Sequence, residues 1–198
     1  VLFRSGVVVA LADKLETLVG MFGIGNLPTG DKDPFALRRH ALGVIRMLTE
    51  SNLPLGLSDL LQASVPVFAS KITDPSQALA DFMLDRLATS LRDSGYSAHE
   101  VAAVLALRPD RLADVAQRLN AVRAFNALPE AASLAAANKR IGNILKKAAG
   151  DAHITNGVQT ALLKEPAEKA LNARMQVVLP EADAMFEQGR SEEHTSEL

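Results

Sequence analysis

The chain has 198 residues, 48% of them hydrophobic and 22% charged, and its formal net charge is −2. This balance indicates a globular protein with one large or two small cores, and it excludes a protein that attracts nucleic acid over its whole surface. Because cysteine and tryptophan are absent and aromatic residues make up only 4%, the composition excludes disulfides and thiolate metal sites, fits a cytoplasmic protein and predicts an all-α fold.

The two ends of the sequence share a DNA signature. Leu2 to Ser5 can be encoded by CTC TTC CGA TCT, and the reverse complement of that DNA encodes the Arg-Ser-Glu-Glu that begins at Arg190. We therefore expect residues 1–5 and 190–198 to be scars of a sequencing adapter, with the natural protein cut at both ends. Without the scars the net charge is −1. No stretch is long enough to span a membrane.

Two helices, the first of them mostly buried, are predicted in the first quarter of the chain. The first runs from Gly6 to Gly23, because apolar residues recur at threes and fours in Val8, Leu11, Leu15, Leu18, Val19 and Phe22. Asp33 is placed to cap a second helix, with Pro34 at its first position and its end near Glu50. The predicted core face of this second helix consists of Leu37, Ala41, Val44, Ile45 and Leu48.

Six further helices follow in the predicted pattern. Ser58 is expected to cap the third, Ser97 and Glu100 form a capping box before the fifth, and Pro180 bends or interrupts the last. Asp74-Pro75 marks a turn and the best candidate domain boundary, between residues 6–73 and 74–189. The predicted ranges are Asp59–Ser70, Gln77–Asp93, Ala98–Leu107, Asp110–Asn126, Glu130–Ala149 and Glu165–Glu187.

The stretch "LAAANKRIGNILKKAAG" predicts a helix with two chemically different faces. At 100° per residue its apolar stripe, which is expected to face a core, is Leu134, Ala137, Ile141, Ile144, Leu145 and Ala148. The opposite side gathers Lys139, Arg140, Asn143, Lys146 and Lys147. Such a cationic face can bind phosphates by releasing their counterions, which predicts an RNA or DNA contact. The pattern alone favours the alternative, a solvated helix face whose last lysines interact well with the helix dipole.

The stretch "PTGDKDPFALRR" predicts a polar loop at the mouth of the second helix. One interpretation is that Thr29, Lys32, Arg38 and Arg39 contact RNA or a protein partner. The alternative is a capped turn whose arginines pair with Asp31 and Asp33. The pattern alone favours this alternative, because exposed ion pairs are common and individually weak.

The sequence offers little that could carry catalysis. Asp13 lies in "ALADKLETL", where a metal-dependent phosphohydrolase could place its last ligand, but the partner ligands of such a site are not in this sequence. His40, His99 and His153 show no metal-ligand spacing. No nucleophile with its base, phosphate-binding glycine loop or carboxylate pair justifies a catalytic assignment.

Two separate blocks of the sequence resemble one known family. "ALADKLETLVGMFGIGNLPTGDKDPFALRRHALGVIRML" is similar to the beta subunit of bacterial glycyl-tRNA synthetase, near the end of its HD-like domain. "FMLDRL", "GYSAHEVAAVLAL", "RAF" and "AAANKRIGNILKK" resemble that subunit's DALR-type anticodon-binding domain. The resemblance implies an HD-like remnant at residues 6–73 and an incomplete anticodon-binding domain at residues 74–189.

The resemblance also implies a function. In this family the alpha subunit holds ATP and glycine and forms the adenylate, while the beta subunit binds tRNA in a tetramer of two alpha and two beta subunits. Glycine tRNA and the alpha subunit are then the expected partners, with no cofactor bound by this fragment and ATP with magnesium used by the holoenzyme. The alternatives are an HD-type metal-dependent phosphohydrolase fragment and a non-catalytic helical interaction scaffold.

The resemblance assigns residues to three groups. The first is expected to contact RNA and consists of Lys139, Arg140, Asn143, Lys146 and Lys147. The second is a family loop expected to contact tRNA or a subunit, or to hold the domain together, and consists of Thr29, Gly30, Lys32, Asp33, Arg38 and Arg39. The third group is Asp13 alone, a remnant of the HD pattern. The fragment itself is expected to be non-catalytic.

Overall fold

A computed structural model of the chain describes residues 2–148 and 158–195. Over these residues the protein is helical and contains no strand, which confirms the predicted all-α fold. The α-helices are α1 (Leu2–Gly23), α2 (Leu37–Glu50), α3 (Leu57–Ser64), α4 (Ser76–Asp93), α5 (Ala98–Leu105), α6 (Val115–Asn126), α7 (Ala131–Ala148) and α8 (Pro166–Thr195). Short 3₁₀ turns lie at Val65–Phe68, Leu112–Asp114 and Thr160–Leu162.

The chain divides into two compact units, Val1–Ala135 and Ala136–Leu198. The first unit holds α1 to α6, and α4 packs there against α1, α2 and α3. Helices on both sides of the predicted 73/74 boundary therefore share one compact unit. The assignment of residues 6–73 and 74–189 to two family domains stays a prediction.

The core of the first unit forms where the apolar stripes of α1 and α2 meet. Leu18, Val19, Val44 and Leu48 are fully buried there, and each buried side chain of this size contributes about 1.5–3 kcal/mol. The other predicted stripe residues of both helices are also buried, except Val8, which is 64% exposed. The core continues into the later helices through Leu79, Met83, Leu87, Val104, Leu112, Val115 and Leu119.

The second helix begins later than the sequence predicts. Asp33 does supply the cap, since its Oδ1 accepts from the Leu37 amide at 2.8 Å and its Oδ2 from the Arg38 amide at 3.0 Å. The helix starts only at Leu37, because Ala36 adopts a left-handed conformation with φ 55° and ψ 34°. Pro34 therefore lies before the helix, and the prediction that it occupies the first helical position was wrong.

The third helix is capped from a distant part of the chain. Ser58 was expected to be its N-cap, but the serine donates both its backbone N–H and its hydroxyl to Asp110 Oδ1, at 2.8 and 2.7 Å. Gly56 is the N-cap residue instead. The α-helix ends at Ser64, and a 3₁₀ turn that contains Pro66 replaces the expected continuation to Ser70.

The ends of the described chain are helical. The last helix continues through Pro180 rather than being interrupted there. The expected "GDAHITNGV" loop and its His153 lie outside the described residues, apart from Val158. Both α1 and α8 extend into the residues that we expect to be adapter-derived. Among the described residues, no helix is long and apolar enough to cross a bilayer.

Candidate nucleic-acid interface

The side of α7 that the sequence marks as cationic is exposed. Lys139, Arg140, Asn143, Lys146 and Lys147, here called the cationic face, all have exposed side chains. At 100° per residue they lie within about 120° of the helix circumference, and the rise of about 1.5 Å per residue spreads them over about 12 Å. Together with Ala136 and Ile144, four of the five line a surface depression of ≈ 400 Å³.

The charges of this face have no acidic neighbour on their own helix. Residues 131–148 contain no aspartate or glutamate. Within the described ranges, the side chains of Lys139, Arg140, Lys146 and Lys147 make no ion pair with an acid. The C-terminal position of Lys146 and Lys147 also suits the negative end of the helix dipole. Four cations are thus available to an anionic partner.

The apolar stripe of α7 is not buried as the sequence predicts. Leu134, Ile141, Ile144 and Leu145 are 54%, 55%, 56% and 46% exposed. Ala137 is exposed too, and the side chain of Ala148 lies outside those described. The expectation that this stripe faces a core was therefore wrong for the described residues. Only the separation of charged and apolar faces follows the prediction.

The family loop forms a tight turn that is fastened to the start of α2. The backbones of Thr29 and Lys32 exchange two hydrogen bonds, of 3.1 and 2.9 Å. Gly30 has φ 50° in this turn, a conformation that side chains disfavour. Arg38 Nη2 donates to the Gly30 carbonyl oxygen at 2.5 Å. Arg38 thus holds the turn in place.

The alternative of a capped turn was right about the cap but wrong about the expected ion pairs of the arginines with Asp31 and Asp33. Asp33 accepts from two backbone amides, and the guanidinium of Arg38 is bonded to a carbonyl. The side chains of Thr29, Lys32 and Arg39 are exposed. The loop therefore contains two kinds of residue, one that builds the turn and one that is presented to solvent.

The family loop and the cationic face are two candidate surfaces. The loop belongs to the first compact unit, and the cationic face belongs to the second. Each is therefore a separate candidate surface.

Asp13 shows no sign of a metal site. It is exposed on α1, and its carbonyl oxygen accepts from the Thr17 hydroxyl at 3.1 Å. Across residues 2–148 and 158–195, no three His, Cys, Asp or Glu side chains are grouped so that they could hold a metal ion. Among the described residues, no set of metal ligands is thus found around Asp13.

An ion pair between the nearly buried Glu100 and the half-exposed Arg123 was not predicted from the sequence. The predicted capping box is present, with Ser97 N donating to Glu100 Oε2 at 2.7 Å. In addition, Arg123 Nε donates to Glu100 Oε1 at 2.6 Å, and its guanidinium lies 4.3 Å from the centre of the Tyr96 ring. The hydrogen bond from Arg123, followed by those from Ser97, lowers the pKa of Glu100 to about 2. No local spacing connects positions 100 and 123, so the sequence carries no signal for this pair.

Comparison with known proteins agrees with the resemblance found in the sequence. Residues 3–106 match the family described as glycyl-tRNA synthetase beta subunit. The glycine–tRNA ligase beta subunit of Leptothrix cholodnii is 68% identical over 186 residues, 94% of this chain and 26% of the relative. That of Paracidovorax citrulli is 69% identical over 185 residues, 93% of this chain and 26% of the relative.

The similarity therefore extends over nearly all of the chain, whereas the chain spans about a quarter of the length of these relatives. The family match alone covers more than half of the chain and includes the loop fastened by Arg38. On this evidence the chain belongs to the glycyl-tRNA synthetase beta subunit family.

Proposed function

We propose that the chain is a tRNA-binding portion of the beta subunit of a glycine–tRNA ligase, and that the cationic face of α7 contacts tRNA phosphates. The observation that carries this proposal is the set of four exposed cations on a helix without a single acid. The names of the relatives, glycine–tRNA ligase beta subunits, support the choice of tRNA as the polyanion.

The cationic face suits a nucleic-acid backbone in its chemistry. Neutralising phosphates releases their counterions, so binding is strengthened at low salt. Arg140 can donate two parallel hydrogen bonds to one phosphate, whereas Lys139, Lys146 and Lys147 act as mobile point charges. Asn143 has both a donor and an acceptor and can contact a base edge or a ribose hydroxyl. Phosphate contacts position the RNA, and base contacts add selectivity.

The same proposal assigns catalysis to other parts of the enzyme. ATP with magnesium and glycine are used on the alpha subunit, in a cytoplasmic tetramer of two alpha and two beta subunits, and glycine is attached there to its tRNA. The described residues of this chain hold no candidate metal cluster. Their part in the reaction is to bind and orient tRNA.

The family loop is proposed as a second, smaller contact surface. Gly30, Asp33 and Arg38 build the turn and cap α2. The exposed Lys32 and Arg39 are the positions through which the loop would contact tRNA or the alpha subunit. Variants of these two residues therefore test the loop without disturbing its fold.

The test uses the full-length beta subunit with its alpha subunit. Lys139, Arg140, Lys146 and Lys147 are changed together to alanine, and binding of glycine tRNA and of a second tRNA is measured against salt concentration. We expect affinity to fall on the order of tenfold or more, and the slope of log K against log salt to become less steep by about 3, because each lost phosphate contact contributes about 0.7–0.9. A control removes four exposed cations elsewhere, at Arg46, Arg92, Lys169 and Arg174.

The control variant has the same net charge as the test variant and should keep most of the affinity and the slope. Equal binding by the parent protein and the test variant would remove α7 from the RNA surface. Absence of any salt-dependent tRNA binding by the parent would favour the helical scaffold. Stoichiometric metal binding that is lost in Asp13→Ala would favour the phosphohydrolase alternative.

A further inference from the structure

An apolar groove lies between α1 and the segment formed by α3 and the 3₁₀ turn after it. Its volume is ≈ 440 Å³. Val8 and Val67 on its two walls are 64% and 74% exposed, and Leu55 is 37% exposed. Other lining residues include Leu11, Ala12, Leu15, Leu60, Ala63 and Phe68. Contiguous apolar surface of this kind marks a place where another molecule or segment docks.

A second concavity extends the first along α1. It has a volume of ≈ 330 Å³ and is lined by Gly20, Met21, Ile24, Lys71 and Ile72, among others. The two concavities meet at Glu16 and Phe68, which line both. From Val8 to Gly20 the rise of α1 is about 18 Å, the length of about 12 helical residues. We call the joined concavities the α1 groove.

The lining of the α1 groove suits a helix better than a small molecule. Small-molecule sites place a few polar groups so that they converge on the ligand, whereas here the Glu16 carboxylate and the Ser64 hydroxyl are the polar side chains of the larger concavity. The Ser64 hydroxyl already donates to the Leu60 carbonyl at 2.7 Å. Ala12 is small and exposed, so a second backbone can approach α1 closely at this position. Grooves with these properties bind the apolar face of amphipathic helices.

We propose that the α1 groove holds an amphipathic helix from the part of the full-length beta subunit that lies outside this chain. The relatives are about four times as long as the aligned region, so most of the polypeptide that could cover the groove is absent here. A segment of the same polypeptide also has a high effective concentration at the groove. This proposal does not depend on tRNA binding.

Charges in the groove specify the orientation of the docked helix. Glu16 lies where the two concavities meet, and Lys71 lies in the second concavity. Neither side chain has an ion-pair partner within the described ranges. The docked helix should therefore present a lysine or arginine opposite Glu16 and an acid opposite Lys71, with an apolar stripe between its charged positions.

Thiol labelling of the full-length beta subunit tests the proposal. This chain contains no cysteine, so Val67→Cys and Val8→Cys each add one identifiable thiol. Leu107→Cys is the control, because Leu107 is 73% exposed on another surface of the same unit and Val67 is 74% exposed. The rate of maleimide modification at each site is resolved by peptide mass spectrometry. Protection is the rate in denaturant divided by the rate in the folded protein.

We expect protection of at least about tenfold at Val67→Cys and Val8→Cys, as for a groove that is open in one molecule in ten or fewer, and little protection at Leu107→Cys. A photo-crosslinker on Val67→Cys should then join this site to a helical segment of the same polypeptide. Unprotected groove thiols would overturn the proposal. So would protection that appears only with the alpha subunit, or cross-links that join two beta subunits.

Discussion

Asp110 caps the helix that begins 53 positions before it, at Leu57. Its Oδ1 accepts from the backbone N–H of Ser58 at 2.8 Å and from the Ser58 hydroxyl at 2.7 Å, while its carbonyl oxygen accepts from the Leu57 amide at 2.9 Å. A Cβ on Gly56 would lie 2.3 Å from Asp110 Oδ2. The glycine is required here because the carboxylate approaches the backbone so closely.

Removing this cap should destabilise the first compact unit. We expect Asp110→Ala to lower the free energy of unfolding by about 1–2 kcal/mol, the usual cost of losing a helix N-cap. Ser58→Ala should cost less, because the backbone N–H of residue 58 still has its acceptor. Urea unfolding followed by circular dichroism checks both values. An unchanged midpoint for Asp110→Ala would show that the contact contributes nothing.

Two glycines should respond to alanine in opposite directions. A Cβ on Gly23, at the end of α1, would lie 2.6 Å from Ile72 Cβ and 3.0 Å from the Thr73 carbonyl oxygen, whereas a Cβ on Gly142 in α7 meets nothing within 4 Å. Gly23→Ala should destabilise by about 1–3 kcal/mol through overpacking. Gly142→Ala should favour the helix by about 0.5–1 kcal/mol. Denaturant midpoints of the two variants give the comparison, and a neutral Gly23→Ala would contradict the close approach.

The Glu100–Arg123 pair should make stability depend on pH in the acid range. The pKa of Glu100 is lowered from 4.5 to about 2, first by the hydrogen bond from Arg123. The Glu100 carboxylate therefore binds a proton less readily in the folded state than in the unfolded state. Its contribution to the stability of the fold is complete above pH 4.5 and is lost as the pH falls toward 2. The pKa values of Asp74 and Asp81 are lowered as well, and they act in the same direction.

Glu100→Gln isolates the charge, because glutamine keeps the capping box. The variant should be less stable than the parent at neutral pH, and its loss of stability on acidification should be smaller. Urea midpoints measured above and below pH 4.5 show the difference. Parallel curves for the two proteins would mean that the carboxylate charge of Glu100 does not stabilise the fold.

Alanine substitutions of the adjacent Arg38 and Arg39 should differ in their effect on stability. Arg38→Ala removes the hydrogen bond to the Gly30 carbonyl and should cost about 0.5–1.5 kcal/mol. Arg39→Ala changes an exposed side chain and should stay within about 0.5 kcal/mol of the parent. Proteolysis of the 24–36 loop and thermal unfolding measure the first effect. If Arg39→Ala is as unstable as Arg38→Ala, the two side chains share a structural role.

Local periodicity was enough to predict most helices. The apolar stripes of α1, apart from Val8, and of α2 were confirmed, as was the capping box of α5, because each depends on residues within a few turns of one another. The start of α2, the cap of α3 and the partner of Glu100 were not predicted. They depend on a left-handed Ala36 and on side chains that reach across 52 and 23 positions.

The candidate site divides in the same way. The exposure of the five residues of the cationic face agrees with the helical pattern. The uncovered apolar stripe of α7 was not predicted, because burial is decided by neighbouring elements and not by the helix itself. Contact of the cationic face with RNA stays a prediction, as does the role of Lys32 and Arg39.

The stacking of Arg123 on Tyr96 has a practical consequence for spectroscopy. Tyr96 is the only tyrosine of the chain, and there is no tryptophan. Intrinsic fluorescence therefore originates from one ring, in contact with one guanidinium. Tyrosine emission will follow the opening of the contact between Tyr96 and Arg123, whereas far-ultraviolet circular dichroism averages over every helix. Coincident transitions in the two signals will show that this contact melts together with the helices, and separate transitions will show that it melts independently.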